Sequence, residues 1–364
     1  MCVALVLGLP SAAVVVDIFC TNTLGDSSLL DAGIARSTPG DAVAIHGTCL
    51  ANQTICLPGD RSYRGDSRVG TIIRQADRAN LPALVASASW CINSVWTDAP
   101  MRLSTLTIDA RRKTNNGTVA LMIRAWQSVV TDLHVTGAAS DGIRLSNLAA
   151  DGVTGLNSTQ VNGVISNVFV ESSGGSGVRV LDTQNAITDW SLLDSWVASS
   201  GESAVLLDNA AGWQVRGLHT YGTQRHAIFA NRCFATTISA NYIEDMGNEG
   251  APACTYYGVA CHAQTSAASI IADNKVFAFR ADPDATSTFV YVGISGVASG
   301  GGSDGVGVVG VHGNVVRGAN RTGDIGLGFA AGAGRLDVSS SGNHVHGVRT
   351  KRRVGEGVQL VATF

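Results

Sequence analysis

Residues 133–145 read LHVTGAASDGIRL, residues 168–180 read VFVESSGGSGVRV, residues 195–207 read SWVASSGESAVLL, and residues 218–230 read LHTYGTQRHAIFA. Each stretch begins and ends with a short run in which apolar side chains alternate with other side chains. A period of two is the pattern of a β-strand, where successive side chains point to opposite faces. The four stretches therefore predict one pair of strands that is repeated along the chain.

The closing run of these stretches, which we call the first register, recurs behind a small residue at spacings of 23 to 35 residues. This spacing fits a coil of three short strands with loops of variable length. Its first inward column is predicted to be Ile143, Val178, Val205, Ile228 and Val259. Its second inward column is predicted to be Leu145, Val180, Leu207, Ala230 and Cys261.

The opening run, which we call the second register, continues further along the chain. Its third position is β-branched in every copy, as an inward column favours. These residues are Val135, Val170, Val197, Thr220, Ile243, Val276, Val316 and Val345. In the later copies the first position is asparagine, at Asn241, Asn274, Asn314 and Asn343. Stacked amides at these positions predict an asparagine ladder, hydrogen-bonded along its length and to the turn backbone.

The columns predict an all-β fold, a single right-handed parallel β-helix. A helical repeat does not fit a period of two, and a β-sandwich would need more hairpin signals than this sequence contains. We assign residues 26–100 to an N-terminal cap and the first coils, 101–350 to the coils, and 351–364 to a C-terminal cap strand. Residues 1–25 are interpreted either as a signal-like leader or as a first strand.

The segment from Leu29 to Arg74 contains a short amphipathic stretch, then Pro39-Gly-Asp-Ala-Val, Leu57-Pro-Gly and Tyr63-Arg-Gly. With the columns, this segment resembles the entry module of the pectate-lyase-like superfamily of right-handed β-helices, over roughly residues 26–350. The resemblance implies a capping helix at residues 28–36 and a polysaccharide-binding groove along the stacked strands. The catalytic signatures of polygalacturonases and alginate epimerases are absent, so no catalytic residue is carried over.

The composition narrows the function classes. The chain has 364 residues, a formal charge of −3 and 15% charged residues, which leaves no basic face for a nucleic acid. No uninterrupted apolar run reaches the length of a membrane span. Among the eight cysteines, a Cys49–Cys56 disulfide is predicted from the short polar turn between them, and Cys261 is interpreted as a buried free thiol. We predict no metal and no cofactor.

Outward positions beside the second register carry aromatic side chains in successive coils. An exposed file of rings can stack on sugars, or the rings can simply pack beneath loops. The predicted substrate-binding residues are Phe169, Trp196, His219, Tyr221, Tyr242 and Glu244, with Tyr257 from the first register.

Outward positions of the first register combine carboxylates, arginines and histidines over about three coils. The predicted catalytic residues are Asp182, Asp208, Arg232, His262, Glu202, Arg225 and His226. Asp182 and Asp208 can form the carboxylate pair of a glycosidase. Alternatively, an arginine neutralises a uronate and a histidine removes its C5 proton, as β-elimination requires. A third possibility is that these side chains form only a surface salt-bridge network, without a catalytic role.

The functional hypothesis is a secreted or cell-surface carbohydrate-active enzyme that cleaves or rearranges glycosidic bonds of a polysaccharide. Hydrolase or fructan-type transferase chemistry is placed slightly ahead of β-elimination, and a non-catalytic glycan-binding or adhesion protein is the alternative. The resemblance to β-helical fructotransferases also implies a homotrimer as a candidate assembly.

Overall fold

The structure is a computed structural model that describes residues 13–156, 158–209, 211–249, 251–264, 267–279, 286–296, 305–332 and 334–362. This part of the chain contains 34 strands and two helices, α1 (Asp26–Arg36) and α2 (Ala88–Cys91).

The strands are short and follow one another closely along the chain. The first are β1 (Val15–Phe19), β2 (Ala42–Ala51), β3 (Ile55–Leu57), β4 (Arg61–Gly65), β5 (Thr71–Gln75), β6 (Ala83–Ser87), β7 (Met101–Asp109), β8 (Val119–Ile123), β9 (Val129–Thr136) and β10 (Ile143–Ser146). Next come β11 (Gln160–Val161), β12 (Val164–Ser166), β13 (Phe169–Glu171), β14 (Val178–Leu181), β15 (Ile187–Thr188), β16 (Ser191–Leu193), β17 (Trp196–Ala198), β18 (Val205–Asp208), β19 (Gln214–Arg216), β20 (His219–Tyr221), β21 (Ile228–Cys233), β22 (Thr237–Ser239) and β23 (Tyr242–Glu244). The last are β24 (Thr255–Ala263), β25 (Ala268–Ala272), β26 (Lys275–Phe277), β27 (Thr288–Gly296), β28 (Val306–His312), β29 (Val315–Arg317), β30 (Ile325–Ala330), β31 (Arg335–Ser341), β32 (His344–His346), β33 (Thr350–Val354) and β34 (Val358–Val361).

All strands except β11 and β15, which pair with each other in a two-stranded sheet, stack into three parallel files, which we call the first, second and third faces. The first face contains β1, β4, the start of β2, β7 and β9, and then β12, β16, β19, β22, β25, β28, β31 and β34. The second face contains the ends of β2, β7 and β9 with β5, β13, β17, β20, β23, β26, β29 and β32. The third face is a separate sheet of β3, β6, β8, β10, β14, β18, β21, β24, β27, β30 and β33. Each coil visits the three faces in turn, and the predicted parallel β-helix is confirmed.

The predicted inward columns are also confirmed. On the third face Ile143 pairs with Val178, Val178 with Val205, and the file continues through Ile228 to Val259. All of these side chains are fully buried. On the second face Val135, Val170 and Val197 lie in register in the same way. Because parallel strands are about 4.8 Å apart, such columns form a continuous aliphatic core along the helix axis.

The asparagine ladder lies at the turn between the first and second faces. The side-chain amides of Asn241, Asn274 and Asn314 each donate to the Oδ1 of the asparagine one coil further on, at 2.9 Å, ending at Asn343. Each amide also donates to a backbone carbonyl, such as that of Val215 at 3.1 Å. The buried amides are therefore satisfied within the stack.

The N-terminal end of the core is covered by α1, close to the predicted span 28–36. Leu30 and Ile34 are buried against the first coil. Gly33 lies against Ile18 of β1, where an added Cβ would be 2.3 Å from Ile18 Cδ1. Within the segment 1–25, Val15–Phe19 forms a strand that pairs with β2, and residues 1–12 lie outside the described residues.

The predicted Cys49–Cys56 disulfide is wrong. Cys49 bonds to Cys20, and Cys56 bonds to Cys91 of α2. Cys49 lies in β2 on the second face and Cys56 in β3 on the third, because the chain turns a corner of the helix between them. Residues on two different faces do not meet across that corner.

The interpretation of Cys261 as a free thiol is also wrong. It bonds to Cys233 of the preceding third-face strand, with 5.3 Å between their Cα atoms. Neighbouring rungs bring such residues within the range of disulfide geometry. The three disulfides join residues 29, 35 and 28 positions apart, which is the length of one coil.

The C-terminal segment assigned to a cap strand holds most of β33 and all of β34, which lie on different faces. Residues 363 and 364 lie outside the described part. Among the described residues no helix is both long and apolar enough to cross a membrane.

Candidate functional site

The outward side chains of the third face form a central file that changes character along the helix. In register, this file reads Met122, Arg144, Arg179, Leu206, Phe229, Ala260, Gly293, Gly328 and Arg353. Trp90 of α2 packs with Met122 and covers the start of the face. Beyond Phe229 the file has almost no side chains until Arg353, so the sheet itself forms the floor of a groove there.

The groove is a cavity of about 180 Å³ with a wall on each side. One wall carries Tyr257, Val290 and Ile325, and the other carries His262, Ser295 and Ala330, with Arg353 at one end. The ring of Tyr257 lies over the floor, since a Cβ added to Gly293 would be 2.7 Å from Tyr257 Cε1. The glycines therefore provide the space that the groove occupies.

Four aromatic rings meet at the other end of the groove. The ring centroid of Phe229 is 4.7 Å from that of His226, 5.0 Å from that of His262 and 5.9 Å from that of Tyr257. The backbone N–H of Tyr257 donates to His226 Nδ1 at 3.2 Å. With Nδ1 accepting, a neutral His226 carries its proton on Nε2.

Burial keeps both histidines of this cluster neutral. Burial, with smaller contributions from Arg225 and His262, lowers the pKa of His226 to about 4. Burial also lowers the pKa of His262, against a hydrogen bond to the backbone of Asn231 that raises it. The pKa of Tyr257 is raised by burial. At neutral pH the cluster holds neutral imidazoles beside a protonated phenol, a combination suited to proton transfer.

Asp182 lies close to this face, but its carboxylate is already used by the turn that follows β14. It is buried and accepts from the backbone N–H groups of Gln184 and Ile187 and from the side chain of Asn147, at 2.8 to 3.2 Å. These bonds give Asp182 a role in holding the corner of the coil.

Asp208 and the two predicted arginines make contacts outside the groove. Asp208 is half-buried and accepts from the side chain of Asn231 at 2.9 Å. Arg232 donates to Asn209 and to Gln264, each from a different coil. Arg225 is exposed and its nearest carboxylate oxygen, on Glu249, is 3.4 Å away.

Glu202 is half-buried in the turn that leads into the third face. The structure thus brings His226, Tyr257 and His262 together, and the carboxylates stay apart from them. Among the residues that the structure describes, no carboxylate lines the groove.

The aromatic file of the second face is present in full. Rings of His134, Phe169, Trp196, His219 and Tyr242 follow one another at centroid distances of 4.9 to 5.1 Å. Glu171 accepts from His134, and Glu244 contacts both His219 at 2.8 Å and the Tyr242 hydroxyl at 3.0 Å.

Ring stacking within this file limits what it can bind. Phe169 stacks on His134 and Trp196 stacks on His219, while Phe169 and Trp196 are tilted by 38° to each other. Each of these two rings therefore has one face covered by a stacked neighbour. Trp196 is still 44% exposed and Tyr221, one column over, is 38% exposed. Sugar stacking needs a free ring face, so the third-face groove is the stronger candidate site.

Comparison with known proteins places this geometry in context. No family model and no curated protein matches the sequence. Among solved structures, the A-module of a mannuronan C-5 epimerase from Azotobacter vinelandii is similar, with a TM-score of 0.57 and 14% identity over 96% of this chain and 100% of that one. An alginate lyase from Paenibacillus gives 0.56 and 12% identity over 94% and 99%. A family 28 exopolygalacturonase from Yersinia enterocolitica gives 0.58 and 10% identity over 96% and 79%.

The chain has the right-handed parallel β-helix fold. The predicted resemblance to the pectate-lyase-like superfamily is confirmed at the level of the fold.

The columns predicted from the sequence did not include Arg353 or the glycines of the groove floor. These residues could have been identified, because the first register continues through Val292-Gly-Ile and Leu327-Gly-Phe to Arg352-Arg-Val. Extending that register past Cys261 would have aligned Gly293, Gly328 and Arg353 with Phe229. In the described part of the chain, no group of three or more His, Cys, Asp or Glu side chains is arranged to hold a metal ion.

Proposed function

We propose that this β-helix is a polysaccharide-acting enzyme that binds a uronate-containing chain in the third-face groove and cleaves it by β-elimination. The observation that carries the proposal is the pair of neutral histidines beside Tyr257, at one end of a cavity with Arg353 at the other. The similar solved structures named for action on mannuronan, alginate and polygalacturonate support a uronate polymer as the substrate class.

Three side chains of the groove, Arg353, His262 and Tyr257, take part in the reaction. The guanidinium of Arg353 pairs with the uronate carboxylate and stabilises the negative charge that develops when C5 loses its proton. His262 removes that proton, and the electron pair forms the double bond between C4 and C5. The glycosidic oxygen at C4 leaves and takes a proton from Tyr257.

The direct test incubates the protein with alginate, polygalacturonate and a neutral fructan. We expect ultraviolet absorbance from an unsaturated uronate with one of the two acidic polymers and no product from the neutral one. His262→Gln should lower kcat by roughly 100-fold or more, the usual contribution of a general base. Gly328→Val, which places a side chain on the groove floor next to Val290, should raise KM or abolish binding.

The matched control lies on the first face. His312→Gln, in β28, is the same substitution as His262→Gln and should leave activity at the wild-type level. Reducing ends without the ultraviolet absorbance would contradict β-elimination and favour hydrolysis. Binding without any product would favour the glycan-binding alternative.

Hydrolysis is the second candidate function. Asp208 and Glu202 are both half-buried on or beside the third face, and a glycosidase needs two carboxylates at defined separation. If hydrolysis is the activity, Asp208→Asn rather than His262→Gln should remove it.

The disulfides support a secreted or cell-surface location, since disulfides persist in oxidising compartments. The Cys20–Cys49, Cys56–Cys91 and Cys233–Cys261 bonds all link neighbouring coils. The homotrimer stays a prediction, which light scattering of the purified protein would test.

A further inference from the structure

After Met122, the central file of the third face has two arginines, Arg144 and Arg179, that do not line the groove. Arg144 pairs in register with Arg179, and the file then runs through Leu206, Phe229 and Ala260 to Gly293, the first residue of the file that lines the groove. From Arg179 to Gly293 is four rungs, or roughly 19 Å at the spacing of parallel strands. A polymer that extends beyond the groove along this file passes over Phe229 and Leu206 and then reaches Arg179.

The two arginines differ in their partners. Arg144 Nε donates to Asp141 Oδ2 at 2.6 Å, and its Nη2 donates to Ser140 Oγ at 2.8 Å. One coil further on, the residue three positions before Arg179 is Ser176 instead of an aspartate. The coil of Arg179 therefore has no carboxylate at this position, and Asp141 of the preceding coil accepts from the backbone N–H of Ser176 at 2.8 Å.

The guanidinium of Arg179 has unused hydrogen-bonding capacity. Within the described part of the chain, Arg179 Nε is buried and has no hydrogen-bond partner. A buried donor without an acceptor costs roughly 1–3 kcal/mol. A carboxylate at this position could accept from the guanidinium with the strong, bidentate geometry that arginine favours.

We infer that Arg179 is a second carboxylate-binding subsite, which holds a distant uronate of the same polymer chain that occupies the groove. The inference rests on the proposed function for the identity of the polymer. It adds that the enzyme binds long acidic chains better than short ones, because only a chain of several sugar units spans Arg179 and Arg353 together.

The experiment measures binding by calorimetry in the His262→Gln background, where turnover is slowed by the loss of the proposed base. The probes are short and long uronate oligomers prepared from alginate and from polygalacturonate, and the same long oligomers with their carboxylates reduced. Arg179→Met should weaken binding of the long oligomer roughly ten- to a hundredfold, the worth of a charge-assisted hydrogen bond. It should leave the short oligomer and the reduced oligomer unchanged.

Arg216→Met is the matched control, because Arg216 is exposed on the first face. Arg179→Lys keeps the charge without the bidentate geometry. If Arg179→Met fails to fold, weaker binding of the long oligomer by Arg179→Lys is the result that supports the subsite. If the long oligomer binds the His262→Gln parent and its Arg179→Met and Arg179→Lys derivatives with equal affinity, the subsite is overturned while the proposed function stands. If the parent binds no uronate oligomer, both the proposed function and the subsite fall.

Discussion

The imidazole of His226 packs against both Phe229 and Tyr257, at centroid distances of 4.7 and 5.4 Å. This environment favours the neutral ring, which is why the pKa falls from 6.5 to about 4. A histidine that is neutral when folded binds its proton first in the unfolded state as the pH falls. Its contribution to stability is therefore complete above pH 6.5 and is lost as the pH falls from 6.5 towards 4.

The lowered pKa of His226 predicts how the unfolding free energy depends on pH. Between pH 7 and pH 4 the wild type should lose up to about 3 kcal/mol more of its unfolding free energy than His226→Phe does. Denaturant unfolding at a series of pH values measures the difference. His312→Phe, on the first face away from the cluster, should retain the wild-type pH dependence. Parallel curves for the wild type and His226→Phe would show that His226 does not carry the effect.

The asparagine ladder shows how one element organises several coils. Asn274 is fully buried, donates to Asn314 Oδ1 and to the carbonyl of Ile238, and accepts from Asn241. Each ladder amide thus joins its own turn to the next coil. The ladder occupies the corner where the first face passes into the second, which fixes how strands on both faces stack.

Breaking the ladder should be costly. Asn274→Ala leaves the Asn241 amide and the Ile238 carbonyl without their partners in the core, and we expect a loss of about 3 kcal/mol of unfolding free energy. Chemical denaturation measures this loss. Asn116→Ala, at an exposed asparagine, should change the unfolding free energy by less than about 0.5 kcal/mol. Equal small losses for the two variants would mean that the ladder adds little to stability.

The disulfides act at the scale of the whole molecule, because each one fastens a coil to its neighbour. Mapping of unreduced peptides should recover Cys20–Cys49, Cys56–Cys91 and Cys233–Cys261. A Cys49–Cys56 peptide would contradict the structure. Replacing both members of the buried pair Cys233–Cys261 by alanine should cost about 3 kcal/mol, from the loop that the bond closes. Cys254→Ala, which removes a free cysteine, should have little effect.

Much of the fold could be predicted because the coils of a β-helix repeat. Residues that stack in its core therefore occupy equivalent positions in a local sequence repeat. Val170 faces inward for the same reason as Val135 one coil earlier, so alignment of short runs identifies the core. The asparagine ladder could be predicted on the same grounds. The disulfides could not be predicted from close sequence spacing, since partners in a coiled chain are one coil apart.

The site was only partly predictable, because a groove depends on missing side chains as much as on those present. His226, Tyr257 and His262 come from neighbouring coils, and alignment of the outward columns predicted that they lie close together. Asp182 shares a column pattern with them, yet its carboxylate is turned into the corner by the N–H groups of Gln184 and Ile187. Side-chain direction at a turn is set by contacts that no column shows.

The sequence alone determined the parallel β-helix, its inward columns and its ladder, since these follow from a repeat of alternating side chains. Only the tertiary structure decided where the groove lies. It aligns Gly293 and Gly328 on the groove floor with the Tyr257 ring over Gly293, and it places Arg353 at the far end. It also buries Arg179 Nε without a hydrogen-bond partner among the described residues. The physical reason is that a binding site requires free volume and unpaired charge, and both depend on which residues of distant coils become neighbours.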